Sequence, residues 1–195
     1  QKTLVQCKKY LTVATATGED LEECVRGAIE SGNVGVGFEE LSAARRELAS
    51  AKMPHVLQMI EIYEEGDEPV VVFSAHESPI KMLGERDGWR IITGSVSDTH
   101  RAEAVHLLQE GKLKGIAGTI GAMGTGLTLT RAHQCLFVDM DWTPANNLQA
   151  EDRLCRIGQT RGVIINRVVA DHALDDKLTS ILITKQKLLE ATDLN

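Results

Sequence analysis

The sequence lacks any apolar run approaching the ~18 residues that a membrane-spanning helix requires, so no membrane partner is expected. Near the start, Lys2, Lys8 and Lys9 precede no apolar stretch, and no signal-peptide pattern is expected there. The four cysteines, Cys7, Cys24, Cys135 and Cys155, form no CxxC pair and have no His-x-His neighbour. That argues against a zinc site or a disulfide framework; isolated thiols in a reducing compartment are expected, with no metal ligands. Basic charge is lacking too. The formal balance is −7, whereas a protein that coats nucleic acid is normally basic. Residues 1–68 hold 7 Lys and Arg against 13 Asp and Glu, while residues 69–195 hold 14 against 15. Any nucleic-acid contact therefore belongs to the second segment, as a local patch. There is no GxxxxGK[ST] loop and no GxGxxG after the first strand. A Walker A phosphate cradle and a dinucleotide fingerprint are both missing.

What is present is an ordinary globular composition, 43% hydrophobic and 25% charged, sufficient for one substantial core. Short runs that are apolar nearly throughout recur at Val70–Phe73, Trp89–Thr93, Gly115–Thr119, Cys135–Met140 and Val163–Ala170. Such runs suit strands buried on both faces of a parallel sheet. Helical stretches separate them: Ser78–Arg86, Asp98–Glu110 with Asp98 as N-cap and Gly111 as stop, and Asn146–Ile157 ended by Gly158. This alternation predicts an α/β domain of three layers with a mostly parallel central sheet. Upstream, Phe38–Glu65 is helical in composition and is split by Pro54. A strand over Leu4–Ala14 and a glycine-rich turn over Gly32–Gly37 precede it. Residues 1–66 are expected to form a linking or bracing segment and residues 67–195 the main lobe, closed by a C-terminal helix over His172–Glu190.

The informative stretch is Asp141–Gln159, DWTPANNLQAEDRLCRIGQ. On one helix, Gln149, Arg153 and Arg156 fall at i, i+4 and i+7 as a polar stripe, beside an apolar stripe of Ala150, Leu154 and Ile157. Two arginines held this way can offer guanidinium forks to a polyanion. A solvated helix whose charges pair along its surface would show the same spacing, and the full string decides between the two. QAEDRLCRIGQ resembles motif VI of the Swi/Snf-type branch of superfamily-two helicases, matching at Gln149, Ala150, Arg153, Arg156, Ile157, Gly158 and Gln159.

Three upstream strings fall in the same family's order. Thr119–Leu129, TIGAMGTGLTL, resembles motif V, whose glycines let the backbone approach phosphate or another lobe. VVVFSAH resembles motif IV, with Ser74 and His76 at a strand end. RIITGSVSDTHR resembles the next element, a strand ending at Gly94 with an arginine on the following helix. Residues 40–190 carry the likeness, and the AARRELASAKMPHVLQMIEIYEEGDEP approach is similar to annealing-helicase-like and bacterial or phage members. Thr143 departs from the usual asparagine after the tryptophan, and Ala122–Met123 from the usual Ala-Gly pair.

The resemblance implies a RecA-like fold and a part in a DNA-dependent ATPase motor. Arg153 and Arg156 would be the arginine fingers toward ATP held on another lobe. Gln149, Asp152, Gly124 and Gly126 would serve the nucleotide. Ser74, His76, Thr93, Gly94, Ser95, Arg101 and Thr119 would meet the nucleic-acid backbone. ATP and Mg²⁺ would sit mainly on an N-terminal RecA-like lobe of the same parent chain, with double-stranded DNA as partner. The chain alone is expected to be inactive. Its place would be the nucleoid-bearing cytoplasm of a bacterium, or of a bacterium infected by phage, and the nucleus in a eukaryote. Two other classes remain open: a free-standing scaffold that kept the fold, and a small metabolic enzyme using the glycine-rich turn.

Overall fold

The computed structural model describes residues 2–5, 34–124 and 126–192. In chain order the elements are β1 (Lys2–Val5), α1 (Val34–Ala51), α2 (Met53–Glu65), β2 (Val70–Ser74) and α3 (Glu77–Lys81). There follow β3 (Trp89–Ile92), α4 (Asp98–Gln109), β4 (Gly115–Thr119), α5 (Ile120–Met123) and β5 (Gln134–Phe137). The last are α6 (Pro144–Glu151), β6 (Val163–Arg167) and α7 (Ala173–Thr192). The strands make one six-stranded sheet in the order β1-β6-β5-β2-β4-β3, and every ladder is parallel.

Strand β2 explains the layering. All five of its residues are buried, and successive side chains point to opposite faces. Val71 and Phe73 join Ile116, Phe137, Leu108 and Leu154 on one face, where Phe73 stacks on Phe137 at 5.0 Å between ring centroids. Val70 and Val72 join Met53, Val56, Ile60, Ile80 and Leu83 on the other. Helices α4, α5 and α6 thus cover the first face, and α2 and α3 the second. Each such side chain taken fully out of water contributes about 1.5–3 kcal/mol. A third cluster, Ala44, Leu48, Ala170 and Leu174, joins α1 to α7. The three-layer α/β expectation is met, with a wholly parallel sheet. The expected division at residue 66 falls between α2 and β2, which share a core cluster.

Local expectations fared unevenly. Pro54 does separate two helices, standing in the first turn of α2 where its missing N–H costs nothing. Helix α4 is capped by Ser97 rather than Asp98, the serine oxygen accepting from His100 N. Helix α3 stops at Lys81 instead of Arg86. There the chain tightens into three-residue turns, Leu83 N donating to Ile80 O and Gly84 N to Lys81 O. Gly35 and Gly37, expected in a turn, lie within α1. The strand expected over Leu4–Ala14 is described only at Lys2–Val5, and its remainder lies outside the described residues.

The correction that matters is α6. It ends at Glu151, so Arg153 and Arg156 do not share a helix face with Gln149. Tertiary contacts override the helical pattern. The Arg153 carbonyl accepts Leu129 N at 2.9 Å, and the buried Glu151 carboxylate takes Arg167 at 2.7 Å. Turns then lead to Gly158, whose φ of +103° suits glycine alone.

Candidate functional site

In a parallel sheet all strand C-termini open on one side. Helix α3, after β2, packs on one face, and α5, after β4, on the other. The crevice between these neighbouring strands is where open α/β sheets take ligands. Ser74 and Thr119, register partners at the two strand ends, stand on its rims.

Ser74 is fully buried, and its hydroxyl donates to Asp139 Oδ1 at 2.5 Å while accepting His76 N at 3.0 Å. Ala75 N donates to the same Asp139 oxygen at 3.0 Å. The other carboxylate oxygen lies 3.5 Å from His76 Nε2 and 3.7 Å from Arg45 Nη2. Burial pushes the Asp139 carboxyl above the ordinary aspartate range, against the Ser74 hydrogen bond and three nearby basic groups. Burial likewise lowers His76, against the pull of Asp139. The structure therefore turns Ser74 inward and leaves half-buried His76 at the rim.

A second group lies beside β3. Thr93 is buried, its hydroxyl 3.0 Å from that of exposed Ser95, and its carbonyl accepts Arg101 Nη2 at 3.2 Å. Arg101 Nε is sealed from solvent without a partner. Gly94 and Ser95 face solvent, and a Cβ on Gly94 would meet nothing within 4 Å. Half-buried Thr119 caps α5, its hydroxyl accepting Ala122 N at 3.4 Å.

The arginines and the glycine loop form one unit. Arg153 is 6% exposed and its Nη2 donates to Gly124 O, while its Nε has no partner. Burial first, and the like charge of Arg156 second, hold its pKa below the ordinary arginine value, opposed by Asp152. Arg156 is exposed, with Nη1 at 3.3 Å from both Leu127 O and Thr128 Oγ1. A Cβ on Gly124 would meet Ile120 O at 2.9 Å and the Gln149 side chain at 3.4 Å, so this backbone approach needs glycine. Gly126 has φ of +73° and open space around it. Exposed Asp152 caps α6, and Gln159 closes the segment by donating to Ala132 O at 2.9 Å and Leu154 O at 3.1 Å.

Among the described residues no group of three or more His, Cys, Asp or Glu is arranged to hold a metal, and no helix is long and apolar enough to cross a membrane. Sequence reasoning passed over Asp139 and Arg45. Asp139 carried a readable signal, an acid directly after an apolar strand run, in FVDMDW. Arg45 carried none, because its hydrogen-bond partner Met140 lies 95 residues away.

Comparison with known proteins accords with this geometry. Residues 51–158, more than half of the chain, match the helicase conserved C-terminal domain. The chain is 36% identical over 148 residues to the SWI/SNF-related matrix-associated actin-dependent regulator of chromatin subfamily A-like protein 1 of Xenopus tropicalis, covering 72% of this chain and 16% of that protein. It is 29% identical over 155 residues to the putative ATP-dependent helicase/translocase YwqA of Bacillus subtilis, covering 76% and 16%. To the DNA annealing helicase and endonuclease ZRANB3 of Homo sapiens it is 31% identical over 154 residues, covering 75% and 14%. The solved C-terminal part of the Fun30 ATPase domain shares the fold, with a TM-score of 0.62 and 21% identity over 68% of this chain and 45% of that one. The chain spans about one sixth of the length of the curated relatives it matches. It belongs to the helicase C-terminal domain family, as a RecA-like lobe of the SWI/SNF-related type.

Proposed function

We propose that this chain is the second lobe of a DNA-dependent ATPase and translocase, completing an active site whose nucleotide is held by another lobe. The observation that carries the reading is the lacing of Arg153 and Arg156 onto the glycine loop, at Gly124, Leu127 and Thr128. Every side-chain group they turn toward that loop is a donor. Such a set fits the phosphoryl end of ATP and cannot ligate Mg²⁺, which takes oxygen ligands and so belongs to the other lobe. Arg156, already exposed, would stabilise charge developing on the transferred phosphoryl. Arg153, with a buried Nε lacking an acceptor, would join it when the lobes close. Gln149 and Asp152 would orient the segment, and Gly124 and Gly126 would let the loop follow the nucleotide.

On the same rim, Gly94, Ser95, Arg101 and Thr119 would grip a DNA backbone, with Thr93, Ser74 and His76 holding that rim in shape. Backbone contact reads no sequence and weakens steeply with salt. In a protein joining this chain to its ATP-binding lobe, Arg156→Ala is expected to lower turnover ~10³–10⁵-fold while nucleotide binding changes little. Unchanged turnover removes Arg156 from the role. The isolated chain is expected to hydrolyse no ATP, and DNA-stimulated turnover by it would overturn the division of labour.

A further inference from the structure

Asp139 stands just beyond β5 with its two oxygens turned to different parts of the chain. Oδ1 holds the end of β2 through Ser74 and Ala75. Oδ2 is sealed from solvent without a hydrogen bond and faces His76 and Arg45. Arg45, 7% exposed, comes from α1, and its Nη2 also donates to Met140 O at 2.5 Å. Its guanidinium carbon lies 4.3 Å from the centroid of the Trp142 ring. The 139–143 loop beneath it is braced twice more. Asn147 accepts Asp141 N at 2.8 Å and donates to Asp141 O at 2.9 Å, and Lys185 of α7 donates to Trp142 O at 2.9 Å. Thr143 then stands at the N-terminus of α6, which leads to Arg153 and Arg156.

Stability alone is a poor account of this arrangement. Well-packed apolar side chains commonly match or exceed a buried ion pair in stability. Arginine, however, can serve a carboxylate, a carbonyl and a ring face at once, because its planar group has separate edges and faces. Arg45 uses all three, on one loop.

We propose that Arg45 and Asp139 form a positioning junction, tying the nucleic-acid-facing end of β2 to the 139–143 loop and so setting the placement of the Arg153–Arg156 segment. The proposal rests on the reading that duplex DNA meets the β2–β4 crevice. Neither residue touches substrate. Asp139 registers displacement at Ser74, Ala75 and His76, and Arg45 carries it to Met140 and Trp142.

The chain has two tryptophans, hence two indole N–H signals in a nitrogen-15 NMR spectrum. The Trp89 indole donates to Glu64 at 2.7 Å, remote from the crevice, and Trp142 lies against Arg45. The 195-residue chain is titrated with a short DNA duplex at fixed pH. Amides of Ser95 and Thr119 are expected to shift by direct contact, the Trp142 indole and Asn147 side-chain amide by transmission, and Trp89 hardly at all. Arg45→Met keeps length and apolar contact while removing charge. It is expected to retain the direct shifts and to reduce the transmitted ones at least about threefold, since removing one linking residue weakens coupling carried through it. Arg45→Lys should recover part of the loss. Asp139→Asn, nearly isosteric, gives a second test should Arg45→Met fold poorly. Undiminished DNA-induced shifts at Trp142 and Asn147 in either folded variant overturn the junction. A duplex that moves no crevice amide overturns the underlying DNA reading instead, and the junction with it.

Discussion

The two ends of the parallel sheet are finished in opposite ways. Where the strands begin, carboxylates are saturated. Glu64 takes Arg86 at 2.9 and 2.8 Å and the Trp89 indole at 2.7 Å. Glu68 takes Gln134 at 2.8 Å, with His133 and Arg161 each at 3.2 Å. Hydrogen bonds from Arg86 and Gln134, respectively, are the chief reasons both carboxyls lie below the ordinary glutamate range. Where the strands end, burial dominates, raising Asp139 and lowering His76 and Arg153. Buried polar atoms without partners gather there: His76 Nε2, Arg101 Nε, Asp139 Oδ2, Arg153 Nε and Arg167 Nε, against His133 Nδ1 and Gln134 Oε1 at the start of β5. One end spends its polar groups on holding the lobe together. The other keeps bonding capacity in reserve, the condition expected of a surface completed by partners.

The sharpest way to break this contrast is Lys52, a saturated group at the C-terminal end. Its ammonium donates to Val138 O at 3.2 Å and Val168 O at 3.1 Å and pairs with Asp175 at 2.5 Å. Lys52→Ala is expected to cost about 3–5 kcal/mol, because it strands a buried carboxylate. A urea-melt loss under 1 kcal/mol would show that pairing there carries little stability. Next in size, Glu64→Ala leaves the Trp89 indole, at 1% exposure, without an acceptor. It should cost about 1–3 kcal/mol, read as a lower urea midpoint at unchanged slope. A midpoint that does not move would place the stabilisation elsewhere.

The last effects concern pH and have opposite signs at the two ends. Glu64, with its pKa depressed in the fold, contributes stability above the ordinary value of 4.5 that is lost as pH falls through the folded value. Asp139 is raised, so its ionisation costs stability above the folded value, and the cost is withdrawn as pH falls toward 3.8. On acidification the unmodified chain should therefore lose stability relative to Glu64→Gln and gain it relative to Asp139→Asn. Differences running the same way with pH would erase the contrast.

The sheet was legible in the sequence because β-branched runs such as Val70–Phe73 are buried on both faces and need no alternation to announce themselves. The arginine motif was legible as a string but not as a shape. Whether Arg153 points inward and Arg156 outward is decided by Gly124 O and by Leu129 N meeting the Arg153 backbone, partners on a distant loop. Ser74 ends a strand and is expected from the sequence to meet the nucleic-acid backbone, yet the carboxylate that turns it inward lies 65 residues on. Local pattern reports periodicity; which polar group finds which is a property of the closed fold.

The register of β1 has a consequence for how the chain is made. Lys2 pairs with Val163 and Val5 with Asn166, so the first strand of the sheet in chain order lies beside the last. Pairing of such long reach is slow, because a large loop must close before any ladder bond forms. On the ribosome, β1 emerges before β6, and once Val163 and Ile165 of β6 pack into the first face, its outer edge stays open until β1 docks on it. An open apolar edge is the place where a nascent sheet pairs with the wrong strand. Of the six strands of this sheet, the first in chain order thus shields the last.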